Sequence, residues 1–119
     1  MLPPTMEKIS FRGAPEEIGQ QAFSGNTKIK TFTLPDSIKY IEPYAFENCI
    51  ALESINFPAS LRVVARDAFS SCNNLKEIII PDSLTSTSLG LTNDCFGGCS
   101  SLPLATQARL KQLGYTGSF

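Results

Sequence analysis

A short right-handed α/β solenoid of 23-residue repeats, with parallel strands and a C-terminal capping helix, is the fold that the sequence predicts. Three observations carry it. The stretch Gln21–Ile29 returns as Tyr44–Leu52 and as Asp67–Leu75 at intervals of 23 residues, and again as Asp94–Leu102 after 27. Apolar residues share columns within that register. After Leu102 the pattern gives way to a run of good helix formers. A repeat of this length means stacked coils, each too small to bury its own apolar face.

The 119 residues fit one domain over 1–119, with repeats over 6–102 and a cap over 103–119. A composition of 42% hydrophobic and 18% charged residues reads as globular. The net charge of −1 and the absence of any Lys/Arg run argue against a nucleic-acid partner. The segment Met1–Lys8 lacks the charged start and apolar core of a secretory signal, and no run approaches a membrane span, so no membrane insertion is expected. The chain reads as soluble, either a cytoplasmic protein or a secreted domain relieved of its leader. With no His, the usual neutral-pH general base and the commonest metal ligand are both missing. No catalysis, cofactor or metal site is expected.

Extending the register back to Met6 places Met6, Ile9 and Phe11 in the columns of Ile29, Phe32 and Leu34, of Leu52, Ile55 and Phe57, and of Leu75, Ile78 and Ile80. That L-x-x-L-x-L spacing predicts parallel strands over Met6–Phe11, Ile29–Leu34, Leu52–Phe57 and Leu75–Ile80. Pro35, Pro58 and Pro81 then stop the ladder and set turns that carry Ser37, Ser60 and Ser83. The pairs Pro15/Ile18, Ile38/Ile41 and Leu61/Val64 predict short extended segments on the opposite wall. The Ala-Phe stretches, about Pro43–Cys49 and Arg66–Cys72, have the length of one α-helical or 3₁₀ turn.

Stacking converts columns into ladders. Phe23, Phe46, Phe69 and Phe96 are expected to form an internal aromatic spine. Glu7, Lys30, Glu53 and Lys76 alternate in sign down one column and support the alignment. The last repeat carries four extra residues within Leu84–Gly90, predicting an exposed bulged loop, and has Cys95 in place of the alanine. From Pro103 to Gly114 the residues predict a helix that covers the open end of the stack.

The units Ile41–Pro58 and Val64–Pro81, with Ile18-Gly19-Gln20-Gln21-Ala22-Phe23, closely resemble the BspA-like, or Treponema-type, leucine-rich repeats: an Ile-Gly-x-x-Ala-Phe segment, a Cys, a Leu-x-x-Ile strand and a Pro. The resemblance runs from Met6 to Leu102. It implies a protein-binding module, of the adhesion or host-interaction type found on bacterial and protist surfaces, and so a secreted or cell-surface location. The alternative is an intracellular scaffold that docks an endogenous partner.

Several residues invite a chemical reading. Cys49, Cys72 and Cys99 share a column with Asn26, and Cys95 sits apart from it. Packing as small apolar residues is the favoured role, ahead of a disulfide between column neighbours or a metal site. Gly97-Gly98 and Gly114–Gly117 read as turns or caps, since no strand and Lys accompany them as in a phosphate loop. Glu16-Glu17 reads as a solvated corner. The candidate protein-binding wall is the outward face of the main strands, formed by Lys8, Thr31, Ser54 and Glu77 in one column and Ser10, Thr33, Asn56 and Ile79 in the next. Tyr40 and Val63 form a second candidate patch on the opposite wall. Edge-to-edge self-association is expected at the N-terminal strand, which has little beyond Met1–Thr5 to cover it.

Overall fold

The computed structural model describes residues 11–92 and 94–119. Two parallel sheets form opposite walls. The first sheet, β1 (Glu17–Ile18), β3 (Tyr40–Ile41), β5 (Val63–Val64) and β7 (Gly90–Leu91), pairs in that order. The second contains β2 (Thr31–Phe32), β4 (Ser54–Asn56) and β6 (Glu77–Ile79). Thr31 pairs with Ser54 and Ser54 with Glu77, while Glu17 pairs with Tyr40 and Tyr40 with Val63. Val63 then pairs with Gly90, which absorbs the four extra residues of the last repeat. The expected strand Met6–Phe11, Glu7 of the charge column, the candidate residues Lys8 and Ser10, and the N-terminal edge lie outside the described residues, apart from Phe11. That residue is half-buried and meets Phe32 edge-on at 5.9 Å.

The strands are shorter than the six-residue segments that the columns suggest. Only two or three residues of each are laddered, although Ile29, Phe32, Leu34, Leu52, Ile55, Phe57, Leu75 and Ile78 are all buried as the columns require. The apolar pattern records which side chains face inward; pairing needs straight backbone as well, and each coil bends within a few residues. At one bend the Asn56 amide takes over: its Oδ1 accepts from the Leu34 N–H at 2.6 Å and its Nδ2 donates to the Leu34 carbonyl at 3.0 Å. Among the described residues Lys30, Glu53 and Lys76 form no ion pair with one another; the one pair formed is Lys39 with Glu16, at 3.4 Å on the opposite wall.

The Ala-Phe stretches are neither α-helical nor 3₁₀ turns. In the second coil Ala45, Glu47 and Cys49 donate to the carbonyls three residues back, at Glu42, Tyr44 and Phe46. Tyr44 and Asn48 have φ near +60° (61° and 58°), as the third residue of a type II turn requires. Gln21, Asp67 and Asp94 repeat the first of these positions; Gly25, Ser71 and Gly98 repeat the second. The left-handed residues alternate the backbone direction, so Tyr44, Phe46 and Asn48 turn their N–H groups out to the carbonyls of Arg66, Ala68 and Ser70 in the next coil. The result is a third ladder between coils, which a helix with all its N–H groups bonded internally would not provide.

This ladder positions the spine. The rings of Phe23, Phe46, Phe69 and Phe96 stack almost parallel, with successive centroids 5.2, 5.1 and 5.5 Å apart. Phe32 meets Phe23 and Phe46 edge-on, and Phe57 leans on Phe69 and Phe96. In the insertion, Leu84 and Leu89 are buried and only Thr85–Ser88 project, knotted by bonds between Thr85 and Ser88. Helix α1 (Leu104–Gln112) ends in a Schellman turn at Gly114, with Gly114 N–H bonded to Lys111 and Tyr115 N–H to Leu110. Leu110, Leu113 and Tyr115 close the core.

Candidate functional site

The parallel register brings the predicted wall residues together as two columns on the second sheet. Thr31, Ser54 and Glu77 are paired neighbours, and Asn56 pairs with Ile79. Successive strand residues point to opposite faces, so Phe32, Ile55 and Ile78 are buried while Thr31, Thr33, Glu77 and Ile79 are exposed. Ile79 is 57% exposed, one of the few large apolar side chains that the core leaves out. Two members of the wall are committed internally. Ser54 Oγ donates to Glu77 Oε1 at 2.8 Å, and Asn56 holds the Leu34 backbone. The exposed side chains of this wall are therefore Thr31, Thr33, Glu77 and Ile79.

On the opposite wall Tyr40 and Val63 are half-buried in one column, beside the Lys39–Glu16 pair. Arg66 lies over the ring of Tyr44, 5.5 Å from its centroid. At that distance the cation is attracted to the ring face, and Arg66 itself stays exposed.

All four cysteines are buried free thiols. The Sγ–H groups of Cys49, Cys72 and Cys99 donate to the carbonyls of Phe23, Phe46 and Phe69 in the preceding coil, at 3.1, 3.0 and 3.1 Å. The column thus serves as a further inter-coil ladder made of weak donors. In the first coil Asn26 stands in the column, buried, and its Oδ1 accepts from Lys28 and Ile29 N–H to start β2. A side-chain hydrogen bond with Cys49 and then burial push the Cys72 thiol well up. Burial, with the nearby Cys99, pushes Cys95 up, and burial takes Cys99 to about 12. Thiolates, the reactive form, are thus suppressed.

These shifts have a definite sign. An unfolded thiol ionises at about 8.5, whereas Cys72, Cys95 and Cys99 in the fold stay protonated, so above that pH the unfolded chain binds fewer protons and stability falls. The loss should begin near pH 8.5 and continue toward about 12; Tyr115, pushed to about 12 by burial, adds to it once the pH passes the ordinary tyrosine value near about 10. A urea midpoint that declines steadily from pH 8 to 10, with thiols inert to a disulfide reagent until the chain unfolds, is the expected result; a flat midpoint or rapid native labelling would refute it.

Among the described residues no group of three or more His, Cys, Asp or Glu side chains is placed to hold a metal ion. No helix among them is long and apolar enough to cross a membrane. Two features escaped the sequence reading. One is Tyr115, whose ring meets Phe96 at 5.3 Å and 84° and so ends the spine. The other is an open groove of about 280 Å³ between β6, the edge strand of the second sheet, and α1, lined by Ile78, Ile80, Ala105, Thr106 and Arg109. Tyr115 and the α1 wall of the groove lie beyond the last repeated column, so periodicity carries no sign of either feature.

The family model described as "BspA type Leucine rich repeat region" matches residues 4–116 in six copies. Among solved structures, a T. pallidum leucine-rich-repeat protein matches at TM-score 0.52 and 28% identity, over 87% of this chain and 68% of that one. A leucine-rich cell surface protein of Faecalibacterium prausnitzii matches at TM-score 0.58 and 21% identity, over 99% of this chain and 38% of that one. No curated protein matches the sequence.

Proposed function

The chain belongs to the BspA-type leucine-rich-repeat family, and from that premise we propose that it is a rigid protein-binding module of the adhesion or host-interaction type. The observation that carries the reading is the second sheet's outer face. Thr31, Thr33 and Glu77 present a flat polar surface fixed by three ladders, with Ile79 as an exposed apolar anchor. A preorganised wall loses little conformational entropy on binding, which favours recognition of another folded surface. The module binds without performing chemistry: its thiols are buried, and its strand face carries small polar groups.

A second reading, an intracellular scaffold with an endogenous partner, is favoured by the four unpaired thiols, since secreted small domains generally oxidise theirs. Immobilised protein should be exposed to extracellular-matrix proteins and, separately, to a cytoplasmic extract. A double variant, Thr33→Arg with Ile79→Arg, should lose at least about tenfold in affinity for the captured partner, matching roughly 1.4 kcal/mol, while Arg62→Glu on the opposite wall leaves it unchanged. Capture of a matrix protein supports adhesion; capture from the extract alone supports the scaffold. Undiminished binding by the double variant would remove this wall as the site.

A further inference from the structure

Strand β6 is the last in its sheet. In β4 the groups facing the next coil are all used: the Glu53 carbonyl accepts from Lys76 and Glu77, and Phe57 N–H donates to Ile79. The equivalent groups of β6, at Lys76, Ile78 and Ile80, have no strand beyond them. The repeat register, stretched to 27 residues in the last repeat, places Pro103 to Gln107 opposite this edge, but those residues turn into α1 instead. The helix leaves the strand edge at an open groove whose walls are Ile78 and Ile80 on one side and Ala105, Thr106 and Arg109 on the other.

Of the residues that line the groove, Arg109 alone is charged, and Asp82, next to Pro81 in the chain, is exposed and forms no ion pair with it. Arg109 donates through Nη2 to the carbonyls of Pro81 and Leu84 at 3.5 and 3.2 Å. Those partners are neutral, and among the described residues no carboxylate forms an ion pair with it. Lys76 is exposed at the start of the strand. The one acidic residue of β6, Glu77, faces back to Ser54. The first turn of α1 contains no acidic residue.

We propose that this edge binds an extended segment of a partner protein, which adds a strand to β6, lays aliphatic side chains against the Ile78–Ile80 wall and sets an acidic residue against Arg109. The inference rests on the protein-binding reading and gives it a specific peptide class and place. Main-chain bonds to Ile78 and Ile80 supply general affinity, and Arg109 supplies the preference for acid. The groove opens between the strand edge and α1, where an extended chain can reach main-chain groups, whereas a second folded surface would meet the exposed Leu104 of α1 first.

A displayed library of random heptapeptides, selected on the whole protein, tests the idea. Enriched sequences should alternate aliphatic residues and contain Asp or Glu. As synthetic peptides they should shift the Ile78 and Ile80 amide resonances and slow exchange of those two amides by at least about tenfold. N-methylation of alternate peptide amides should abolish the effect, Arg109→Gln should remove the preference for the acidic peptide over its amide counterpart, and Ala105→Tyr, at an exposed position, should block binding without lowering the melting temperature. Peptides that shift Thr31 and Thr33 instead, or no enrichment at all, would overturn the strand-edge site. The protein-binding reading falls separately, if no folded partner is captured in the matrix and extract experiment.

Discussion

Phe69→Ala should lower stability by about 3–5 kcal/mol, the range for losing a buried aromatic side chain. The ring is fully buried and stacked on both faces, with Phe46 at 5.1 Å and Phe96 at 5.5 Å, and Phe57 leaning on its edge. Collapse cannot fill the gap, because the ladder bonds from Phe46 N–H to Ala68 and from Phe69 N–H to Cys95 hold the neighbouring backbones at their spacing. Domains are stable by only about 5–15 kcal/mol, and a loss of this size lowers the melting temperature by roughly 10–20 °C. Phe23→Ala should cost less. Phe23 is 6% exposed and has one stacked neighbour among the described residues. Thermal unfolding that ranks Phe69 with Phe23, or finds either neutral, would mean that the spine does not bind the coils together.

The second large effect is expected at Tyr115. In each earlier coil the spine phenylalanine donates its N–H to the next coil, at Ala45, Ala68 and Cys95. Phe96 has no such coil, and its N–H donates instead to the Tyr115 hydroxyl at 3.4 Å. That hydroxyl in turn donates to the Ser118 carbonyl. One side chain therefore ends both the ring stack and the backbone ladder. Tyr115→Ala should cost about 3–5 kcal/mol. Tyr115→Phe keeps the ring and strands a buried N–H, so about 1–3 kcal/mol is expected. Hydrogen exchange at the Phe96 amide checks the assignment: it should quicken in both variants, more in the alanine one. An unaltered Phe96 amide in Tyr115→Phe would show that the hydroxyl is not the partner that matters.

Much of the fold was legible in the sequence because stacking repeats each physical requirement at one interval. The column Ile29, Leu52, Leu75 and the column Phe23, Phe46, Phe69, Phe96 sit where the register put them, all buried. The Ala-Phe stretch was misjudged as helical because its length suits a single turn. The contrary sign was present, with glycine at 25 and 98 and asparagine at 48 in one column, residues that tolerate the left-handed region. In the neighbouring column Asp67 and Asp94 gave the same hint, but Gln21 and Tyr44 gave none, and they adopt the left-handed region where the inter-coil ladder rewards it. For the candidate wall, alternation located the outward residues well. It could not reveal that Asn56 is committed to Leu34 or Ser54 to Glu77, because both depend on the spacing between strands rather than on order along one. The groove at α1 arises where the repeat stops, and Arg109 becomes informative only once its neutral partners are known.

The three ladders and the single terminating tyrosine bear on how such a chain changes over generations. The second and third coils, with Ala45-Phe46 and Ala68-Phe69 in register, present the same ring face and the same ladder groups to their neighbours, whereas the first coil has Asn26 for cysteine and the last has four extra residues and Cys95. An in-frame gain or loss of one 23-residue unit in the middle of the stack would leave the junctions intact, with α1 and Tyr115 still seated on the atypical last coil through Phe96 and Leu84. Array length in this lineage can then drift by whole units under weak selection, while the outward residues Thr31, Thr33, Glu77 and Ile79 diverge independently and the segment after Leu102 stays tied to its partners.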